Sequence, residues 1–224
     1  MFKDERLLNQ NQINIEPEKE IVEWLISRVY CYKLIFTSLG HRIVIPPFLW
    51  AARNEFDTCP EKDGDFDLLF CEPNKFNEIT CIEFKRIKYE HKSPDDRPNL
   101  NGLGKMRVLI KQGNIARRTG FYRTFIATVA LINVSNIPHS NVMTKFEPTE
   151  DYKQIYYIDR YGNLDSEVGY IIIEIVQTTG KDWRRSGQIN FAVLKGPTFQ
   201  KQSSMVTEDF KRVYFKRAIK IEAV

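Results

Sequence analysis

The chain has 224 residues, of which 42% are hydrophobic and 28% are charged. These fractions are close to those of ordinary globular domains, so they exclude a disordered, collagen-like or coiled-coil protein. No segment approaches the ~20 uninterrupted apolar residues of a membrane helix, and residues 1–15 lack the apolar core of a secretion signal. We therefore expect a soluble, cytoplasmic protein that does not associate with a membrane.

The four cysteines contain no CxxC pair, and no histidine lies at the spacing of a zinc finger. In a reducing cytosol, unpaired cysteines usually act as small hydrophobic residues. We expect this role for Cys31, Cys59, Cys71 and Cys81.

Basic residues concentrate in two segments, although the formal net charge is only +4. Residues 83–123 contain 11 Lys/Arg and 4 Asp/Glu, and residues 181–220 contain 10 Lys/Arg and 3 Asp/Glu. Two basic segments on a nearly neutral chain favour a surface that binds a polyanion. Two solvated faces without a ligand remain the alternative.

Helical and strand patterns alternate along the first part of the chain. Apolar residues recur at i, i+3 and i+4 after Pro17, which is typical of an amphipathic helix with proline in its first turn. Short apolar runs between turn residues indicate strands. The predicted order is helix 16–36, strand 42–45, strands 65–71 and 79–85 as an antiparallel hairpin, a long loop over 90–104, helix 105–118 and strand 125–132, with residues 48–53 ambiguous.

The remaining residues form a less regular pattern. Residues 135–168 are rich in loop residues, whereas 170–176 and 188–194 are predicted strands and 207–220 fits either a helix or a strand. The chain therefore predicts an α/β fold with a core over residues 1–132. Residues 133–224 form a mixed C-terminal extension that completes the sheet or contacts nucleic acid, within one continuous domain.

Acidic residues and a lysine converge on the predicted hairpin. Residues i and i+2 of a strand share a face, so Glu83 lies with Lys85, and Asp65 lies with Asp67 on the neighbouring strand. Placing like charges together in an apolar sheet is costly unless a cation neutralises them. Mg²⁺ suits this position because it binds one or two carboxylates, water and phosphate oxygens. A salt-bridged cross-strand cluster without function is the structural alternative.

The motif around these residues resembles the PD-(D/E)XK, or restriction-endonuclease-like, nuclease superfamily. Gly64-Asp65-Phe66-Asp67-Leu68-Leu69 is followed, sixteen residues after Asp67, by Glu83-Phe84-Lys85. This pattern is similar to that of archaeal Holliday-junction resolvases and their bacterial relatives. Phe66 stands where the superfamily name has proline. The superfamily core runs helix, three antiparallel strands, helix, strand, and the resemblance covers residues 16–132.

The resemblance implies roles for specific residues. Asp67 and Glu83 would bind Mg²⁺, for which Mn²⁺ can substitute, and Lys85 would be the catalytic lysine. Glu20 and Asp65 would assist at the metal. Residues expected to contact nucleic acid follow the catalytic strand, line the next helix or lie in the second basic segment: Arg86, Lys88, Lys105, Lys111, Gln112, Arg117, Arg118, Arg184 and Arg185.

The predicted function is metal-dependent hydrolysis of phosphodiester bonds, with DNA as the expected substrate and restriction or defence as the nearest analogy. The alternative is a catalytically inactive nucleic-acid-binding module of the same fold. A homodimer is one arrangement that would cut both strands with one site per chain. The sequence leaves open whether the substrate is DNA or RNA, and whether cleavage is sequence-specific or structure-specific.

Overall fold

The computed structural model describes residues 18–41, 47–90, 99–137, 149–178 and 187–222, with side chains as far as residue 216. Its helices of the first half are α1 (Glu18–Ser27), α2 (Val29–Ser38) and α3 (Lys105–Thr119). Two helices follow, α4 (Glu150–Lys153) and α5 (Ser204–Glu222). The strands are β1 (Phe48–Ala52), β2 (Asp65–Phe70), β3 (Thr80–Glu90), β4 (Asn99–Asn101), β5 (Arg123–Asn133), β6 (Gly169–Gln177) and β7 (Gly187–Lys195).

All seven strands belong to one mixed sheet, which confirms the predicted α/β class. The strand order is β1-β2-β3-β5-β6-β7, and β4 pairs with the far end of β3. The central strands β3, β5 and β6 are parallel, whereas β1, β2 and β7 pair antiparallel with their neighbours. Parallel strands are usually covered on both faces. The nine buried residues of β5 fit that position.

Helices cover both faces of the sheet. On one face, Ile21, Val22 and Leu25 of α1 share a buried cluster with Ile82 and Phe84 of β3. On the other face, α3 contributes to two buried clusters, one of which also contains α5 through Val206, Phe210 and Val213. Because α3 connects the parallel strands β3 and β5, it lies directly against the strand that carries Glu83 and Lys85.

Several boundaries differ from the sequence predictions. The predicted helix 16–36 is two helices, because Arg28 has an extended conformation (φ −90°, ψ 120°). The ambiguous segment 48–53 is β1 followed by a short 3₁₀ turn, and the predicted loop 90–104 includes β4. The segment 207–220 lies in a helix. The predicted strand 42–45 falls outside the described residues.

The four cysteines are buried and unpaired, as expected for small hydrophobic residues. Within the described ranges, no helix has both the length and the apolar character needed to cross a membrane.

Gly113 allows α3 to lie close to the sheet. A Cβ atom at this position would lie 2.4 Å from the Cγ2 methyl of Ile126, which is itself packed in β5. We therefore expect Gly113→Ala to destabilise the protein by roughly 1–3 kcal/mol through overpacking, although alanine has the higher helix propensity. Urea denaturation measures this change. The double variant Gly113→Ala/Ile126→Ala should relieve the clash, so additive losses in the two single variants would contradict the explanation.

Candidate active site

At one end, β2 and β3 no longer pair. There, side-chain carboxylates accept hydrogen bonds from backbone amides of β3 that a neighbouring strand would otherwise accept. Their backbone pairing runs from Leu68↔Ile82 to Phe70↔Thr80. Beyond it, the Phe84 amide donates to Asp67 Oδ2 at 2.7 Å, and the Arg86 amide donates to Glu18 Oε2 at 2.9 Å. Amides two residues apart point to the same edge of a strand. We call this part of β3, from Phe84 to Arg86, the open edge.

Asp67 and Glu83 form a buried acidic pair beside the open edge. Continuing the register of β2 and β3 by one residue places Asp67 opposite Glu83. Burial raises the pKa of Asp67 to about 6, although the Phe84 amide and the Lys85 charge act in the other direction. Burial also raises the pKa of Glu83 well above its ordinary value, and the Asp67 charge adds to that effect. Two carboxylates are thus held in a position that disfavours their negative charge.

Arg53 compensates part of this charge. Its guanidinium Nη2 lies 3.1 Å from Glu83 Oε1, and both side chains are almost completely buried. The Arg53 backbone amide donates to the Gly64 carbonyl, and its guanidinium lies 5.3 Å from the centre of the Phe66 ring. The other carboxylate oxygen of Glu83 is buried with no hydrogen-bond partner among the described residues.

Lys85 lies at the open edge with a carboxylate from α1. Its Nζ donates to Glu18 Oε1 at 2.7 Å and to the Phe84 carbonyl at 2.9 Å. The Lys85 side chain is 13% exposed and that of Glu18 is 25% exposed, so the pair borders solvent. The site therefore combines two buried carboxylates with an ammonium group that borders solvent.

The structure thus brings Asp67, Glu83 and Lys85 together. Asp65 instead contacts Lys19 Nζ at 3.4 Å on an exposed part of the surface. Glu20 lies on α1 two residues after Glu18, and its assistance at a metal stays a prediction.

Two site residues were missed by the sequence reasoning, Glu18 and Arg53. Glu18 had a usable signal, because it lies three and four residues before the buried Ile21 and Val22 of α1. Such spacing puts residues on one helix face. Arg53 had only a weak sequence signal, which is its position directly after the apolar run of β1.

The backbone of β1 is distorted beside this site. Trp50 has a φ of +57°, and the register of β1 and β2 places it opposite Asp67. A bulky residue with positive φ is strained, and such strain tends to occur at functional sites.

The residues predicted to contact nucleic acid lie on both faces of the sheet. Arg86 and Lys88 alternate with Lys85 along β3, on the face of Ile82 and Phe84 that α1 covers. Five others lie on α3, which packs on the opposite face. Those on α3 are Lys105, Lys111, Gln112, Arg117 and Arg118, whereas Arg184 and Arg185 fall outside the described residues.

Some α3 residues have partners within the chain. Lys111 Nζ lies 3.0 Å from Glu61 Oε2, and Arg117 lies 3.6 Å from Glu167. The Arg118 side chain donates to the Asn114 carbonyl. The side-chain oxygen of Gln112 is buried and has no hydrogen-bond partner in the described part of the chain. Their contact with nucleic acid stays a prediction.

The donor set fits a hard divalent cation held by two carboxylates. The described residues contain no group of three or more His, Cys, Asp or Glu side chains placed to hold a metal ion. Mg²⁺ nevertheless needs only one or two protein carboxylates, because water and phosphate oxygens complete its coordination. The unpartnered Glu83 oxygen beside Asp67 is the atom that favours such an ion.

Asp67→Asn is expected to stabilise the metal-free protein at pH 8 by roughly 1–3 kcal/mol. The folded-state pKa of Asp67 is about 6, above its ordinary 3.8. Its contribution to stability is therefore fully present below pH 3.8 and is lost as the pH rises through about 6. Urea denaturation in EDTA at pH 4, 6 and 8 should show the gain only at the higher pH values. Asp65→Asn is the exposed control, and a loss of stability in Asp67→Asn at pH 8 would contradict the expectation.

No protein-family model and no curated protein matches the chain. One solved structure, SfsA of Pyrococcus furiosus in complex with Ca²⁺, is 14% identical with a TM-score of 0.34. The match covers 75% of this chain and 62% of the SfsA chain. A similarity of this size carries no argument about the function of this chain.

Proposed function

We propose that the chain has a restriction-endonuclease-like core and is a metal-dependent nuclease that hydrolyses phosphodiester bonds of DNA. The observation that carries this proposal is the buried Asp67–Glu83 pair with the partly exposed Lys85 beside it. The order α2, β1, β2, β3, α3, β5 agrees with the helix, three antiparallel strands, helix and strand of that core.

Asp67 and Glu83 are the residues that would hold Mg²⁺ or Mn²⁺. When bound, such an ion would supply Lewis-acid chemistry, which polarises a phosphodiester and makes water a better nucleophile. The Phe84 amide fixes the orientation of the Asp67 carboxylate, and Arg53 holds one oxygen of Glu83 while the other, which is buried, has no hydrogen-bond partner among the described residues. The protein therefore supplies carboxylates whose positions are set before any ligand arrives.

Lys85 acts on the substrate side of the site. Its ammonium group can orient the attacking water and stabilise negative charge that develops on the phosphoryl oxygens. Basic residues near the site, such as Arg86 and Lys88, would bind the phosphate backbone and give an affinity that falls steeply with salt. The partner is thus nucleic acid, and the chain itself supplies the groups that position it.

A test of the proposal is incubation of purified protein with supercoiled plasmid, linear duplex and single-stranded DNA. Each substrate is combined with Mg²⁺, Mn²⁺ or EDTA, and Glu83→Gln is run beside the wild type. Cleavage that requires metal and disappears in Glu83→Gln supports the nuclease. Cleavage of equal rate in EDTA, or in Glu83→Gln, would exclude this site as its source.

A non-catalytic nucleic-acid-binding module is the second candidate. The favouring observation is that Arg53 pairs with Glu83 and Glu18 pairs with Lys85, so that partners within the chain already compensate these charges. Salt-dependent DNA binding without cleavage under any metal condition would favour this module over the nuclease.

A further inference from the structure

The open edge of β3 has the donors of an oxyanion-binding site. Two groups converge there: the Lys85 ammonium and the Arg86 backbone amide. A charged ammonium and an oriented backbone N–H together form the kind of donor pair that binds phosphate or carboxylate oxygens.

Glu18 uses both of these donors at once. One carboxylate oxygen accepts from Lys85 at 2.7 Å and the other accepts from the Arg86 amide at 2.9 Å. A carboxylate with its two oxygens bridging two donors occupies the place that two non-bridging oxygens of a phosphodiester would take. The Glu18 carboxylate is therefore a chemical stand-in for that group.

We propose that Lys85 Nζ and the Arg86 amide form a phosphodiester-binding subsite, and that Glu18 occupies it until nucleic acid displaces it. The inference rests on the proposed function, because it assigns a phosphodiester as the ligand of the same site. The partial exposure of Glu18 (25%) and Lys85 (13%) leaves a route by which an incoming phosphate reaches the donors. Only the Glu18 side chain has to rotate away, since the Arg86 donor belongs to the fixed backbone of β3.

If nucleic acid must displace Glu18, the wild-type protein should bind nucleic acid more weakly than a variant that lacks this carboxylate. An internal competitor reduces the apparent affinity by the fraction of molecules whose site is open. If Glu18 occupies the subsite in about nine molecules of ten, its removal strengthens binding about tenfold. Release of Lys85 also adds about one phosphate contact to the salt dependence of binding.

The test measures binding of fluorescein-labelled single-stranded DNA, duplex DNA and RNA by anisotropy, in EDTA so that no metal contributes. The variants are Glu18→Gln, Glu18→Gln/Lys85→Met and the control Glu23→Gln. Glu23 is an exposed residue of α1 whose side chain accepts a hydrogen bond from Trp50, which glutamine can also accept. This control carries the same charge change without a contact to the subsite.

Glu18→Gln should bind at least one of these ligands about tenfold more tightly than wild type and with a steeper salt dependence. The gain should be absent in Glu23→Gln and in the Lys85→Met double variant. Equal binding by Glu18→Gln and wild type, or equal gains in Glu18→Gln and Glu23→Gln, would overturn the inference.

The amide of Arg86 gives a second readout that needs no catalysis. Its ¹⁵N–¹H signal should shift on titration of Glu18→Gln with the dinucleotide pTpT, and shift less in wild type at the same concentration. No shift in either protein would also overturn the subsite. Cleavage assays are kept separate: tighter binding by Glu18→Gln without cleavage by any protein would refute the nuclease and leave the subsite intact.

Discussion

Replacement of Lys85 by alanine is expected to lower the rate of DNA cleavage by about a thousandfold, with the fold retained. A positioned proton-transfer or charge-stabilising group contributes about 10²–10⁴ in rate. Among the described residues, Lys85 is the only lysine whose ammonium group donates hydrogen bonds to both Glu18 and the Phe84 carbonyl at the open edge. Its loss removes one partly exposed ion pair, so the cost in stability should be small. Plasmid nicking in Mg²⁺ gives the rate, and circular dichroism reports the fold.

Lys88→Ala is the matched control for this prediction, because Lys88 lies three residues later on β3. It should weaken DNA binding through the loss of a phosphate contact, with kcat close to that of wild type. If Lys85→Ala cuts as fast as wild type, or if both variants lose only affinity, Lys85 has no part in the chemical step.

Arg53→Met is expected to produce the largest loss of stability, about 3–5 kcal/mol. The substitution leaves the Glu83 carboxylate buried with Asp67 beside it and without its guanidinium partner. Methionine fills part of the same volume, so most of the loss should come from charge rather than from a cavity. Equilibrium unfolding in urea at pH 8 measures the difference.

A double-mutant cycle separates the charge effect from packing. Arg53→Met/Glu83→Gln removes both charges, so it should recover most of the stability that Arg53→Met loses. Additive losses in the two single variants would mean that the pair does not stabilise Glu83. Addition of Mg²⁺ should also restore part of the stability of Arg53→Met, since a bound cation replaces the missing positive charge.

The elements that could be predicted from the sequence are those set by local patterns. The β2–β3 hairpin follows from two apolar runs around a polar turn, and α3 from its apolar spacing between Met106 and Ala116. The juxtaposition of Asp67 with Glu83 and Lys85 followed from strand alternation and the antiparallel pairing. These are properties of neighbouring residues, and a single sequence contains them.

The missed features depend on contacts between distant residues. Arg53 meets Glu83 across 30 positions, and Glu18 meets Lys85 across 67. No periodicity within either segment specifies such a pair. The break at Arg28 carries no proline or glycine, so the helix 16–36 gave no local sign of its division into α1 and α2. Likewise, β4 is only three residues long, and its pairing with the end of β3 is what defines it.

Titration with Mn²⁺ shows whether Asp67 and Glu83 hold a divalent cation, as we propose. Electron paramagnetic resonance measures free Mn²⁺ during titration of wild type, Asp67→Asn, Glu83→Gln and the control Asp65→Asn. Wild type should bind Mn²⁺, and Asp67→Asn and Glu83→Gln should each weaken that binding at least about tenfold, because each loses an anionic ligand. Asp65→Asn should change it much less. Equal Mn²⁺ binding by all four proteins, or no binding by wild type even with DNA present, would exclude a cation site at Asp67 and Glu83.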